Sequence, residues 1–457
     1  MAVRYDSDSN ASRATNQSPG RSSARVASVA AHGVNGQFTY EISYDRENPV
    51  SSGLNVVYGD NGTGKSTFLH ALFHLLSPGR QHAIALSRLQ IDSITATLES
   101  GATISYESGP EDESPRLSFR FADAERIELP LEEYASERPV RESPLARQYQ
   151  RAIVENTTPA ILVSDDRSVS SSGLVDRPSR FSVESLSLSE LRQLSASGEL
   201  MSRMRAQEIE AAVDHATETL WQSAIRGMSL GGSNTQTLYV DLVRELESDR
   251  SMPTAAVARL RLEDALSRVS TIGGDYSKYG LVALDQVEAI SKELRKLRAN
   301  ARSLPLIQRV VGPYISSLLV QMEALEESRA FIDAYVTAVN SFLTRKTFSY
   351  EVREGMRLTL DNSGTPIPLA ALSSGEKHLL LLLSYAVVAR ASEAFFIIDE
   401  PELSLGLEWR RMLVPALLSC ADPTKAQFLL ASHAVEIVAE YEEQVSNPID
   451  STLDVRL

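Results

Sequence analysis

Nine consecutive residues, Gly59-Asp60-Asn61-Gly62-Thr63-Gly64-Lys65-Ser66-Thr67, have the types and spacing to hold a polyphosphate. The order G-x-x-x-x-G-K-[ST] is that of a P-loop. Its glycines let successive backbone N–H groups converge on phosphate oxygens, and a helix starting there adds partial positive charge. Lys65 would reach the β- and γ-phosphates of ATP, and the Ser66 hydroxyl would ligate Mg2+. A second stretch, Ala394-Phe395-Phe396-Ile397-Ile398-Asp399-Glu400-Pro401-Glu402, runs an apolar segment into adjacent carboxylates. Asp399 would hold the Mg2+ hydration shell, and Glu400 would polarise an attacking water beside the γ-phosphate. A third, Leu372-Ser373-Ser374-Gly375-Glu376-Lys377, offers a hydroxyl and a glycine amide at a helix start, a second surface for an anion. Taken alone it also reads as an ordinary helix N-cap. A fourth, Phe428-Leu429-Leu430-Ala431-Ser432-His433, ends in a His. A lone His at a strand end is more often structural than catalytic. Its place after the acid-ended strand suits a γ-phosphate sensor.

These residues need an α/β scaffold to converge. The apolar run Leu54-Asn55-Val56-Val57-Tyr58 predicts a strand before the loop, and Phe68 to Leu76 predicts a helix after it, stopped by Ser77-Pro78-Gly79. Alternation up to Tyr44 (Phe38, Tyr40, Ile42, Tyr44) predicts a strand within Val26 to Tyr44, followed by a turn at Pro49 and Gly53. Short alternating strands at 93–98, 103–106, 117–121 and 127–129 predict an antiparallel meander. Residues 132–158 read as loop or helix, and Ala160 to Val163 as a buried strand.

From about Val183 to Phe342 the helical period dominates. Val287, Ile290, Leu294 and Leu297 fall at a/d spacing, as do Ile315, Leu319, Met322, Ile332, Val336 and Val339 beyond Pro305 and Pro313. This predicts two long helices in a short antiparallel coiled-coil hairpin with a proline-containing turn. Lys292, Arg295, Lys296, Arg298, Arg302 and Arg309 make it basic, either as a contact patch or, more commonly, as a solvated face. The expected division is a disordered tail (1–25), an N-terminal lobe of the nucleotide-binding head (26–182), a helical insertion (183–345) and a C-terminal lobe (346–457).

Of 457 residues, 43% are hydrophobic, enough for a full core, and the net charge of -15 confines any nucleic-acid contact to a local basic patch. The single cysteine, Cys420, excludes a disulfide framework and a multi-cysteine zinc site, and fits a reducing cytoplasm. The longest largely apolar run, Leu379 to Ala389 with Ser384 inside it, is too short for a bilayer and reads as a buried helix. The first residues lack the apolar segment of a signal peptide.

A Walker A loop, an LSSGE signature, a Walker B strand ending Asp399-Glu400 and a switch His433, in that order, resemble the ABC-type ATPases. The long helical insertion resembles the SMC/RecF/OLD branch rather than a transporter subunit. Gly53 to Pro78 and Phe342 to Leu457 are similar to stand-alone ATPases of bacterial anti-phage systems of the Septu, retron-associated and PARIS type. That likeness is carried by Leu54 to Gly62, Leu372 to Glu376, Ile398 to Leu405 and the ending Leu453-Asp454-Val455-Arg456-Leu457.

The resemblance implies two composite ATP sites at a dimer interface. Ser373, Gly375 and Glu376 of one copy would close on nucleotide held by Gly59 to Thr67 of the other. It also implies a Q-loop after Ile161-Leu162-Val163, where Asp166 stands in place of the family's Gln and would meet the metal through water. Ser374 replaces the first glycine of the signature, and Gly406 stands where a His is usual. Only a short segment follows His433, which leaves no room for a C-terminal Toprim nuclease, and no HNH pattern is seen. The expected partners are therefore a second copy, a separately encoded effector such as a nuclease, and DNA or a phage-derived trigger, with no membrane. Two rivals stand beside this reading: a RecF-like DNA-repair ATPase binding DNA through its helical insertion, and a scaffold that binds ATP with little turnover.

Overall fold

The computed structural model of the chain describes residues 24–44, 53–109, 114–135, 143–172, 199–247, 252–298 and 300–450. The expected tail before residue 24, the turn residue Pro49, the boundary at 182/183 and the ending Leu453 to Leu457 lie outside the described residues.

The N-terminal alternation is a hairpin rather than one strand. Val26–Val34 (β1) and Phe38–Ser43 (β2) pair antiparallel, and Asn35 and Gly36 turn the chain with φ of 52° and 74°. Asn and Gly are the residues that tolerate such a turn, so the break was written locally. Leu54–Tyr58 (β3) leads into helix Lys65–Leu76 (α1), then Arg80–Ser87 (α2). Ser93–Leu98 (β4), Thr103–Glu107 (β5), Arg116–Arg120 (β6) and Arg126–Pro130 (β7) form the expected meander. Residues 132–158 hold two helices, Leu131–Ala135 (α3) and Pro144–Asn156 (α4). Ala160–Val163 (β8) and Val169–Ser171 (β9) follow.

The insertion is a bundle. Its helices are Glu199–Glu247 (α5), Ala255–Lys278 (α6), Asp285–Lys296 (α7) and Leu304–Phe342 (α8). The expected two-helix hairpin is corrected: α7 has only 12 residues, whereas α8 has 39. Pro305 sits in the first turn of α8, where a missing N–H costs nothing, and Pro313 lies inside the helix rather than in a turn. The long partners of α8 are α5 and α6. The Ser328 hydroxyl donates to the Ser223 carbonyl of α5 at 2.9 Å, and Tyr276 of α6 donates to Glu326 at 2.5 Å. Gly227 lets α5 approach closely, since a Cβ there would meet Leu325 at 2.9 Å.

Lys346–Glu351 (β10) and Gly355–Leu360 (β11) make a two-stranded ribbon. Helix Ser374–Ser392 (α9), strand Phe395–Asp399 (β12), helix Leu407–Ala421 (α10), strand Gln427–Ser432 (β13) and the short turn Val435–Val438 (α11) complete the C-terminal part. Val445–Ser446 (β14) and Ile449–Asp450 (β15) each add an edge strand. One sheet runs β14-β3-β13-β12-β8-β9 and is parallel except for β9; the other, β15-β2-β1-β4-β5-β6-β7, is antiparallel.

Runs such as Phe395-Phe396-Ile397-Ile398 are apolar on consecutive residues because both faces of their sheet are covered. Phe396 and Ile398, with Val56 and Leu430, face α9 and the bundle. Phe395 and Ile397, with Val57 and Leu429, face α1 and the antiparallel sheet. Ser384, the polar residue in the apolar run, is fully buried, donates to the Leu380 carbonyl at 2.6 Å and meets the Tyr335 hydroxyl at 2.7 Å. The fold is α/β: a mostly parallel sheet covered on both faces, with an added antiparallel sheet and a large helical insertion.

Candidate nucleotide site

Because β3, β13, β12 and β8 are parallel, their carboxyl ends share one edge, where ligands of such sheets sit. Ser432 pairs with Tyr58 and Asp399 with Ala431. The loop starting at Gly59, His433, Glu400 and the turn at Ser164 therefore leave the sheet side by side.

Gly62 and Gly64 take φ of 89° and 88°, which other residues adopt only under strain. At Gly64 space forbids a side chain as well, since a Cβ would lie 2.7 Å from Val34. The Thr63 hydroxyl donates to the Asp60 carbonyl at 2.9 Å, and Tyr40, stacked on Phe68, donates to the Thr63 carbonyl at 2.8 Å. The Lys65 ammonium, buried with its residue, donates to the carbonyls of Gly59 (2.7 Å) and Asp60 (3.1 Å). No side chain caps the start of α1. Its first N–H groups are available to an anion, while Asn61, Gly62 and Ser66 are exposed. Thr67 turns away, its hydroxyl donating to Asn35 at 3.2 Å.

Asp399 is 1% exposed, and neither carboxylate oxygen has a hydrogen-bond partner. Burial pushes its carboxyl up to about 6, and Asp165 and Glu400 push the same way. Ser66 and Lys65 stabilise the charge, Ser66 without a hydrogen bond of ordinary geometry. A buried, unpartnered carboxylate beside a serine hydroxyl fits a divalent cation, because an ion would satisfy what the protein leaves open. Mg2+ would be held there by Asp399 and Ser66.

Glu400 stands at φ 50°, a strained value for a non-glycine residue, and such strain clusters at functional sites. Its Oε2 lies 3.1 Å from His433 Nδ1, and Glu402 Oε1 lies 3.3 Å from the same nitrogen. Facing two carboxylate oxygens, Nδ1 is the ring nitrogen placed to donate. Glu402, whose role the sequence left open, is 1% exposed. Its Oε1 accepts from the Ser432 hydroxyl (2.6 Å) and the N–H groups of His433 (2.9 Å) and Ala434 (3.2 Å). It ties the end of β13 to the loop after β12 and so fixes His433 against Glu400. The signal was the second carboxylate of Asp399-Glu400-Pro401-Glu402, two residues beyond Glu400.

The signature corner is closed on itself. The Ser373 hydroxyl accepts the Glu376 N–H at 3.3 Å, and Glu376 accepts the Ser373 N–H at 2.7 Å, a reciprocal capping box. Both Glu376 oxygens also take the Lys346 ammonium at 2.8 Å. Burial works against that charge, but Lys346 and Ser373 outweigh it and hold the carboxyl below the usual carboxylate value. Glu376 thus lies beneath the corner as its support, not on the outer face where a ligand contact would need it. Ser373 and Ser374 are exposed. A Cβ on Gly375 would meet Trp409 at 3.1 Å and the Ser404 carbonyl at 3.3 Å.

Lys65, Ser66, Asp399, Glu400 and His433 are thus brought to one edge. Among the described residues, Ser373 and Gly375 make no hydrogen bond to the loop of residues 59–67. Asp166 is placed differently from its expected role as metal contact. Its Oδ1 accepts the Ser168 N–H at 2.9 Å, and Asp165 is the carboxylate whose charge acts on Asp399. Both acids of the tight turn after β8 accept backbone N–H groups, Asp165 that of Asp166 at 2.8 Å and Asp166 that of Ser168, and of the two it is Asp165 whose charge reaches Asp399. Arg167, at φ 70°, reaches the hydroxyl of Ser404, itself at φ 67°, at 2.7 Å and links this turn to the loop after Glu402.

The family described as "AAA domain, putative AbiEii toxin, Type IV TA system" matches residues 242–439. That span takes in Ser373, Asp399, Glu400 and His433 and leaves out Gly59 to Thr67. Among solved structures, an SMC head bound to the C-winged helix domain of ScpA aligns at 11% identity with a TM-score of 0.37, covering 95% of this chain and 100% of that chain. No curated protein matches the chain. Among the described residues, no helix is long and apolar enough to cross a membrane.

Proposed function

We propose that this chain is an ATPase that binds ATP with Mg2+ at Gly59 to Thr67 and works as a nucleotide-driven dimeric switch. The observation that carries the reading is Asp399: a carboxylate 1% exposed, with no hydrogen-bond partner, beside the lysine and serine of a phosphate-binding loop. Lys65 would leave the loop carbonyls for phosphate oxygens, and the uncapped N–H groups of α1 would complete the cradle. Bound Mg2+ would neutralise phosphate charge. Glu400 would accept a proton from the attacking water, and His433, held by Glu402, would report the γ-phosphate.

The exposed, pre-capped Ser373, with the buried Gly375 two residues on, supports a contribution in trans to the nucleotide of a second copy. ATP would then favour the closed pair, and hydrolysis would release it. The matched family's description as a putative toxin of a toxin–antitoxin system supports a setting in which the switch governs a toxic activity. On the anti-phage resemblance, that activity belongs to a separately encoded effector such as a nuclease.

The test is nucleotide binding and phosphate release by purified protein. Lys65→Ala should lose binding, whereas Glu400→Gln should bind ATP, dimerise and turn over slowly. Equal binding by wild type and Lys65→Ala would overturn the assignment. Co-purification with the product of the neighbouring gene, and loss of phage protection on Lys65→Ala, test the defence role; protection surviving that change would count against it.

A second reading is favoured by the exposure of Lys292, Arg295, Lys296, Arg298 and Arg302 on and after α7. Salt-dependent DNA binding lost on reversing those charges would make the bundle a DNA-binding arm.

A further inference from the structure

Three of the chain's seven histidines gather behind the phosphate-binding loop. His70 and His74 are four residues apart on α1 and so share a face, and His82 of α2 packs against His74. Nδ1 of His74 lies 3.0 Å from Nδ1 of His82. The ring centres of His74 and His82 are 5.3 Å apart, and those of His70 and His74 are 6.3 Å apart. All three rings are half-buried, so an ion can reach them from solvent.

We propose that His74 and His82, with His70 as third ligand, form a site for a divalent transition-metal ion of the zinc–nickel–copper class that bridges α1 to α2. Two nitrogens at this separation are the neighbouring ligands of one ion with bonds of about 2.1 Å and a right-angle bite. Imidazole is the ligand these ions favour, and it must be neutral to bind. Burial supplies that condition, holding the His74 ring near 4 and lowering those of His70 and His82. His70, one turn earlier on the same face, joins by rotating its side chain. Its Nε2 is 3.5 Å from the Ser164 hydroxyl, and Asp165 and Asp166 act on it electrostatically, as outer groups commonly act on a ligating histidine. Bridging α1 to α2 would brace the helix whose first turn carries Lys65 and Ser66.

The test uses metal-stripped full-length protein titrated with Zn2+ or Ni2+, read by calorimetry and by the melting temperature. Glu400, Glu402 and His433 offer three ligand atoms within 4.8 Å of one another, so His433→Ala is the control. Wild type should bind and melt at a higher temperature with metal, as any ligand of the native state requires. His74→Gln and His82→Gln should each weaken binding at least about tenfold, and His433→Ala should leave it in place. Cu2+ on wild type, read by electron paramagnetic resonance, should show at least two imidazole nitrogens on the ion; the cluster at His433 can supply only one. No binding by wild type would reduce the pair to an N–H···N hydrogen bond. Affinity unchanged in both glutamine variants, or a single coordinating nitrogen, would equally overturn the site.

Discussion

Two helices of this molecule begin with residues fit to meet phosphate, and they are finished in opposite ways. The start of α1 has no side-chain cap, and its lysine is parked on loop carbonyls that a ligand can replace. The start of α9 has a full capping box, with Glu376 buried beneath it and locked to Lys346. An uncapped helix end is less stable than a capped one by about 1 kcal/mol, and it leaves donors for an anion. A capped end is rigid before anything arrives. The contrast teaches that α1 is shaped to be completed by a ligand. By contrast, α9 is complete already and presents the exposed Ser373 and Ser374 as a stiff surface, which suits closing on a partner rather than engulfing a phosphate.

The comparison is broken most directly at the two helix starts. Lys65→Ala should abolish ATP binding and lower turnover at least about 1,000-fold, some 4 kcal/mol, as loss of a phosphate clamp does. Ser373→Arg should leave nucleotide binding near wild type while turnover collapses. If both changes weaken binding equally, the two ends do not differ in role. Next in size is Lys346→Met, which strands the buried Glu376 carboxylate. It should destabilise the fold by about 3 kcal/mol, seen in urea unfolding.

The third effect is on pH. His378, in the first turns of α9, is 3% exposed, and its Nε2 donates to the Pro401 carbonyl at 3.1 Å. Burial, aided by Arg167, lowers its pKa to about 4. The unfolded chain takes up this proton first, so stability is full above about pH 6.5 and falls as the pH drops toward 4, by up to about 3 kcal/mol. His378→Leu should flatten that slope, and an unchanged slope would place the acid sensitivity elsewhere. The smallest effect is expected at Glu402. Glu402→Ala should lower kcat about tenfold, as loss of a positioning group does, with KM for ATP little changed and partial recovery in Glu402→Gln. A rise in KM without loss of kcat would assign Glu402 to binding instead.

Much of this was legible in the sequence because it is local. Glycine spacing around Lys65, the apolar run into Asp399 and the serine before Glu376 each declare a strand end or helix start within a few residues. What escaped depends on distant partners. Nothing near Glu376 in sequence announces Lys346, thirty residues away, so its charge looked available to a ligand. Asp165 and Asp166 are chemically alike, and only the turn decides whose charge reaches Asp399. The a/d spacing on either side of Pro305 and Pro313 suggested a hairpin, whereas α8 takes its long partner from α5, about a hundred residues upstream.

The most direct measurement is ATP turnover by a mixture of two inactive variants, Lys65→Ala and Ser373→Arg. A mixed pair joins the intact loop of one copy to the intact corner of the other, so turnover should return on mixing although each variant alone is dead. A mixture as inactive as its parts, or full activity in Ser373→Arg alone, would contradict a pocket shared between two copies.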